Sequence, residues 1–374
     1  MTYGTVQANA IQGSINTFSP NSAVFRNRII NGGMVIDQRN AGASVTVNST
    51  SEAFGVDRWR AVGQSTDGVF TMQRDTTVPD GFANSLKITV TTADASIGST
   101  QNYLLMQRIE GFNTADLNWG SASAKAVVLS FWVRSSVTGT FGGAIRNDDG
   151  DYNYPFTYTI NAANTYEYKT VTITAPTSGT WKTTNATGIQ VTFSLGSGSS
   201  LIGTAGAWNT SNFFGATGQT NLIATNGATF YITGVQLEVG STATSFDYRP
   251  YGTELALCQR YYEKSYPVGT TPASNTHLGK SYGGAMTQGV STTTGYLVGT
   301  SQFKVSKRAT PTVTVYDIAG NSGKMTADSV GVASTNNQTA IIEYPSENGF
   351  QATRDTGATA ANAIVWQFVA SAEL

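Results

Sequence analysis

The densest run of chemistry-bearing side chains is Asn147-Asp148-Asp149-Gly150-Asp151-Tyr152-Asn153-Tyr154. Carboxylates and amides crowded this closely admit three readings. They form a solvated turn, for which Asp, Asn and Gly are favoured. They hold calcium through hard oxygen donors, although the spacing does not match a full EF-hand loop. Or they contact a glycan. In that reading Asp149 and Asp151 bond sugar hydroxyls while Tyr152 and Tyr154 stack on the apolar C–H faces of the rings. Trp181 and Trp208, expected on exposed loops, extend the set of sugar platforms, with Trp119 and Trp132 as alternatives. Packing accounts for each of these aromatics taken singly.

Other chemistries find little to work with. His277 is the one histidine, and no second ligand stands at metal spacing from it. No Gly-x-x-x-x-Gly-Lys-Ser/Thr and no helix-opening Gly-x-Gly-x-x-Gly is present. No catalytic residue is assigned and the chain is read as a non-enzyme. Glycoside hydrolysis stays open as a rival, because it needs only two carboxylates at a suitable separation. Cofactors are expected to be none, calcium at the 147–154 cluster being the exception to test.

The whole composition narrows the class. Charged residues are 12% of 374, roughly half the usual ~25%, and the net charge is −1. No block of like charge offers the phosphate neutralisation that a nucleic-acid partner needs. No run approaches the ~20 apolar residues of a membrane span. The opening Met1-Thr2-Tyr3-Gly4 lacks the basic and apolar regions of a signal peptide, so synthesis in a cytosol is expected. Cys258 stands alone and cannot form an internal disulfide. The 40 glycines, with abundant Ser, Thr and Asn, suit many short strands joined by tight turns.

The elements that must position these residues are mostly strands. Residues 1–25 are polar with isolated Ile11, Ile15, Phe18, Val24 and Phe25. From 66 to 240 apolar and neutral polar residues alternate, as in Leu86–Val90, Val127–Val133 and Ile189–Leu195, which predicts antiparallel sheets with one solvated face. In Ile232–Val239 the alternation changes phase at Gly234, as at a β-bulge. Trp59, flanked by Arg58 and Arg60, is expected in the core with Asp57 and Arg58 pairing at its edge, a cation–π sugar platform being the alternative. Leu201–Asn226 reads as a long Gly/Asn/Thr-rich loop carrying Trp208, Phe213 and Phe214. Thr253–Lys264 reads as a helix with Thr253 as N-cap, and Cys258 as a small buried apolar residue on it. Residues 265–374 return to β, and Ala363–Ala370, apolar on both faces, should be a central strand.

Several motifs carry a resemblance. They are Asn27–Asn40, Asp57-Arg58-Trp59, Val235-Gln236-Leu237-Glu238-Val239-Gly240, Phe246–Gly252, Leu255–Lys264 and Ala370–Leu374. In this order they resemble phage tail-fibre and virion appendage proteins with a carbohydrate-binding-module-like jelly roll. The resemblance implies an all-β chain. An N-terminal virion-attachment segment at 1–25 is followed by an antiparallel jelly-roll sandwich at 26–252. A short linking helix at 253–264 leads to a second, smaller β-sandwich at 265–374. It implies a homotrimer on the virion, assembled in the host cytoplasm. The N-terminus would meet other tail proteins and the body would meet host surface polysaccharide, with no nucleic acid and no membrane insertion. Rival readings are a passive head-fibre, decoration or adaptor protein, a glycan depolymerase tailspike, and a cellular secreted binding module.

Overall fold

Alternating apolar and neutral polar residues become strand after strand. The computed structural model describes residues 26–48, 53–64, 67–285, 296–329, 332–355 and 363–374. The expected attachment segment at 1–25 lies outside them. The first strands are β1 (Val45–Val47), β2 (Ala53–Val56), β3 (Trp59–Gly63), β4 (Val69–Asp75), β5 (Ser85–Thr92), β6 (Asn102–Glu110) and β7 (Val127–Ser135). They are followed by β8 (Gly139–Arg146), β9 (Asn153–Ile160), β10 (Glu167–Ile173), β11 (Thr187–Ser197), β12 (Ile202–Gly203), β13 (Gly215–Ala216) and β14 (Thr229–Val239). After α1 (Tyr251–Gln259) come β15 (Tyr262–Lys264), β16 (Ser281–Ala285), β17 (Tyr296–Gln302), β18 (Thr312–Tyr316) and β19 (Lys324–Ser329). The last are β20 (Val332–Thr339), β21 (Ile341–Ser346), β22 (Gly349–Asp355) and β23 (Ala363–Ser371).

The first unit is a jelly-roll sandwich of two six-stranded antiparallel sheets, in the orders β1-β4-β5-β14-β7-β10 and β2-β3-β6-β11-β8-β9. One alternation phase of each strand fills the space between them. Phe131 of β7 meets Phe193 of β11 edge-to-face at 5.1 Å, and Trp59, fully buried, lies 6.3 Å from Phe193. Gly234 has φ +61°, and the β14–β7 register shifts between Thr233 and Gln236, so the expected bulge is there. A Cβ at Gly234 would also stand 2.6 Å from the Phe82 ring.

The resemblance motifs turn out to touch one another. Asn27 donates its side-chain amide to the Val235 carbonyl (2.9 Å), and the Leu237 N–H donates to Asn27 Oδ1 (3.1 Å). Arg249 donates to the Ile29 carbonyl and pairs with Glu254 at 3.3 Å. Gln38 donates to Asp57 and to the Tyr262 carbonyl. Arg58 pairs with Glu373 and stacks over Tyr261 at 3.6 Å. Segments far apart in sequence thus form one frame, which closes the sandwich and fastens the C-terminal unit to it.

Two local expectations are corrected. The helix spans Tyr251–Gln259 with Pro250 as its N-cap, not Thr253–Lys264 capped by Thr253. Tyr262–Lys264 instead forms β15, because these residues find ladder partners in Ser371, Ala370 and Val369 of β23. Asp57 and Arg58 do not pair with each other: Gln38 caps the carboxylate and Glu373 takes the guanidinium.

In the C-terminal unit β23 is central, as its two apolar faces predict. Its first half pairs with β16 and β19, its second half with β15 and β18. Through it β15–β23 join into one curled antiparallel sheet. Leu297, Val315, Phe350, Trp366 and Phe368 form the core inside the curl.

Candidate functional site

At one end of the sandwich four connections converge. They are β6–β7, β8–β9, β10–β11 and the long stretch from β11 to β14. The β6–β7 connection begins with two 3₁₀ turns, Gly111–Asn113 and Ala115–Leu117, and turns sharply at Asn118 (φ 53°). Gly120 then donates to the Pro176 carbonyl at 2.9 Å, binding this connection to the β10–β11 one. The long stretch is not a free loop. Asn209 and Asn153 exchange backbone bonds of 2.8 and 3.0 Å, and β12 and β13 pair in parallel.

These ties gather the aromatic side chains. Trp119 and Trp181 meet edge-to-face, with centroids 4.6 Å apart. Trp208 stands 5.6 Å from Trp181 and 5.7 Å from Trp119. Each indole N–H donates to a backbone carbonyl: Trp119 to Lys125, Trp181 to Ser178 and Trp208 to Thr174. All three rings are half-buried, so each is fixed in orientation while keeping part of its surface in water.

The candidate residues separate in their roles. Tyr152 lies flat on Trp208, 5.3 Å away and 13° from parallel, so the two cover each other's faces. The expectation that Tyr154 is an exposed loop residue is corrected. It is on β9, points inward, is 5% exposed and supports Trp208 from the core at 5.2 Å. Trp132 faces outward on the other sheet beside Tyr168 and is not part of this cluster. The rings that wall open space are Trp119 and Trp181. With Thr114, Ala115, Asn118, Ser121, Lys182, Thr183 and Ile189 they line a cleft of about 250 Å³.

The acidic run stands beside this cleft as a partnered hairpin. Asp148 and Asp149 both accept from the Lys182 ammonium, and these bonds push the lysine pKa up. Asp151 accepts from the Asn147 side chain at 2.7 Å, and Asn147 also donates to the Thr180 carbonyl at 3.2 Å. Two of the carboxylates therefore share the lysine, and the third faces Asn147. Among the described residues no group of three His, Cys, Asp or Glu is placed to hold a metal ion, so the calcium reading gains no support.

Asn118, Lys182 and Thr183 are cleft residues that the sequence does not mark. No motif surrounds them, and only the crossing of two distant connections makes them neighbours. The usable signal was the pair Trp119 and Trp181, each set in a Gly/Ser-rich turn.

No family model matches the chain, and no curated protein matches it in sequence. Among solved structures it is similar to the enzymatically active domain of bacteriophage CBA120 tailspike protein 4, at 14% identity and a TM-score of 0.31. That match covers 58% of this chain and 22% of the tailspike, so this chain spans under a quarter of that protein's length. It is also similar to a family 11 carbohydrate-binding module from Clostridium thermocellum in complex with a β-1,3-1,4-mixed-linked tetrasaccharide. There identity is 13%, the TM-score 0.26, and the match covers 54% of this chain and 98% of the module. A CBM4 structure matches at 19% identity and a TM-score of 0.28, covering 56% of this chain and 98% of its own. Similarity this slight assigns no function to the chain.

Proposed function

We propose that this chain is a non-enzymatic structural protein of a phage virion appendage that binds host surface glycan through the Trp119–Trp181 cleft. The cleft carries the reading. Sugar recognition asks for fixed aromatic surface against the C–H faces and for nearby polar groups to bond the hydroxyls. Trp119 and Trp181 supply the first, held by their own N–H bonds, and Asn118, Ser121, Lys182 and Thr183 supply the second. The appendage part of the proposal rests on the motif resemblance, strengthened by the way those motifs assemble into one structural frame. A homotrimer attached through residues 1–25 completes it, since weak single-site sugar contacts become effective when several act together.

The non-enzymatic part is supported by the carboxylates nearest the cleft. Asp148 and Asp149 pair with Lys182, and Asp116 with Arg28 at 2.6 Å. A glycosidase needs a carboxylic acid held protonated opposite a second carboxylate. Burial pushes Asp57 up to about 6, but that residue is enclosed beneath the C-terminal unit.

A glycan array on the purified chain tests the proposal. Binding should appear and should fall about tenfold or more in Trp181→Ala, the scale of one lost stacking contact. A silent array would favour a passive appendage. Release of reducing ends, abolished by a single Asp or Glu substitution, would overturn the non-enzyme reading.

A further inference from the structure

A second cleft, of about 210 Å³, lies on the outer face of the β2-β3-β6-β11-β8-β9 sheet. Its chemistry differs from that of the first. Arg108 of β6 and Arg146 of β8 flank Gln190 of β11 in one cross-strand row, since Gln190 is the register partner of both. Side chains at directly paired positions share a face, so two guanidinium groups stand on either side of one amide. Arg60 lines the same cleft from β3.

Arg146 is 5% exposed, lies 3.6 Å over the Phe214 ring and donates to Asn212 Oδ1. Its Nε is buried without a hydrogen-bond partner, as is Nε of Arg108. The carboxylate on this cleft, Asp148, turns to Lys182 instead of either arginine. Burial and the neighbouring Arg108 charge pull Arg146 down to about 10, still cationic at neutral pH. Two like charges held together and partly desolvated, with no carboxylate among the described residues paired to either, are the arrangement an incoming anion relieves.

We propose that this cleft binds an oxyanion, a carboxylate or sulfate carried by an acidic saccharide, between Arg108 and Arg146. A guanidinium offers a planar fork of donors that matches either group. The Asp148–Lys182 ion pair forms the wall between the clefts, with Lys182 lining one and Asp148 the other. An acidic oligosaccharide would therefore meet aromatic surface on one side of this wall and paired cations on the other. The saccharide class of the ligand rests on the glycan reading above; the anion site itself does not.

The test is isothermal titration calorimetry of the full chain with three probes: a uronate oligosaccharide, its carboxyl-reduced neutral counterpart and a sulfated oligosaccharide. At least one acidic probe should bind about tenfold or more tightly than the neutral one, the scale of a charge-assisted hydrogen bond. Whichever acidic probe binds names the source of the oxyanion. Arg108→Gln should remove that preference and leave affinity for the neutral probe and the melting temperature unchanged. Arg146→Lys, which keeps the charge and loses the fork, should weaken the acidic probe several-fold. Equal binding of acidic and neutral probes, or no effect of Arg108→Gln, would overturn the anion site. Loss of binding in Trp181→Ala with none in Arg108→Gln leaves the aromatic reading standing and removes this one. The reverse pattern removes the aromatic cleft and keeps the anion site. No binding by any probe overturns both.

Discussion

Asp57 illustrates how one residue's surroundings override its local sequence. Its neighbour Arg58 is the partner expected from the chain, yet the fold gives Arg58 to Glu373 and leaves Asp57 to Gln38. Burial, opposed by Arg39 and the Gln38 bonds, raises its pKa from 3.8 to about 6. Between about pH 4 and 6 the folded chain therefore holds a proton that the unfolded chain has released. Stability from this group is greatest below pH 4 and declines as pH rises through 6, on the order of 3 kcal/mol in all. Asp57→Asn should remove that decline. Melting temperatures of both proteins from pH 4 to 7 should differ by an amount that moves steadily in the variant's favour; a constant difference would contradict the assignment. Cys258 was legible from its position alone. It is buried with Ile30, Ile36 and Tyr261, and burial pushes its thiol well above the ordinary value. Tyr154 was less so, because the sequence does not say where the hairpin turn gives way to an inward-facing strand.

Among the elements, β14 shows what periodicity can and cannot deliver. The phase change at Gly234 was readable because Ile232, Val235 and Leu237 are all core residues that a regular strand could not turn to one side. Gly234→Ala would place a methyl against Phe82 at a left-handed φ, so it should cost about 2 kcal/mol in urea denaturation. A loss within a few tenths would show that the bulge tolerates a side chain. Strands β19, β20 and β22 were not singled out. Lys324–Ser329, Val332–Thr339 and Gly349–Asp355 are rich in Thr, Ser, Asn and Gln, with few apolar side chains to carry a period. β19 and β22 take their strand character from pairing with β23 and β17, long-range partners that local pattern does not encode, and β20 takes its own from the hairpin with β19. The end of α1 failed for the same reason: Tyr262 and Lys264 continue a plausible helix face, but β23 offers them a ladder.

Taken whole, the chain is two β units locked by ionic contacts that composition would not suggest. Glu110 of β6 accepts from Arg260 at 2.6 and 2.8 Å and from the Tyr261 hydroxyl at 2.7 Å. Arg308 donates to the Asn185 carbonyl of the sandwich at 3.0 Å and to the C-terminal Ala372 and Glu373 carbonyls. Inside the C-terminal unit Lys307 and Glu263, 0% and 1% exposed, pair at 2.7 Å. Lys307→Met would leave Glu263 charged and enclosed, so it should cost about 3 kcal/mol, while replacing both by apolar residues should restore most of it. Chemical denaturation of the single and double variants checks this; equal losses in both would mean that the pair itself is not the source. The sandwich, its companion and the acidic hairpin were all visible in the sequence. The two clefts were not, because each is lined by residues from several strands or connections tens of positions apart.

The measurement that bears most directly on glycan binding is a calorimetric titration of the wild-type chain and Trp181→Ala. The ligand is an oligosaccharide that the wild type captures on an array, and melting temperatures are recorded alongside. Saturable binding by the wild type, weakened about tenfold in a variant that melts at the same temperature, is the expected result. Equal affinity in the two proteins, or no oligosaccharide captured at all, would place glycan recognition outside the Trp119–Trp181 cleft or outside this chain.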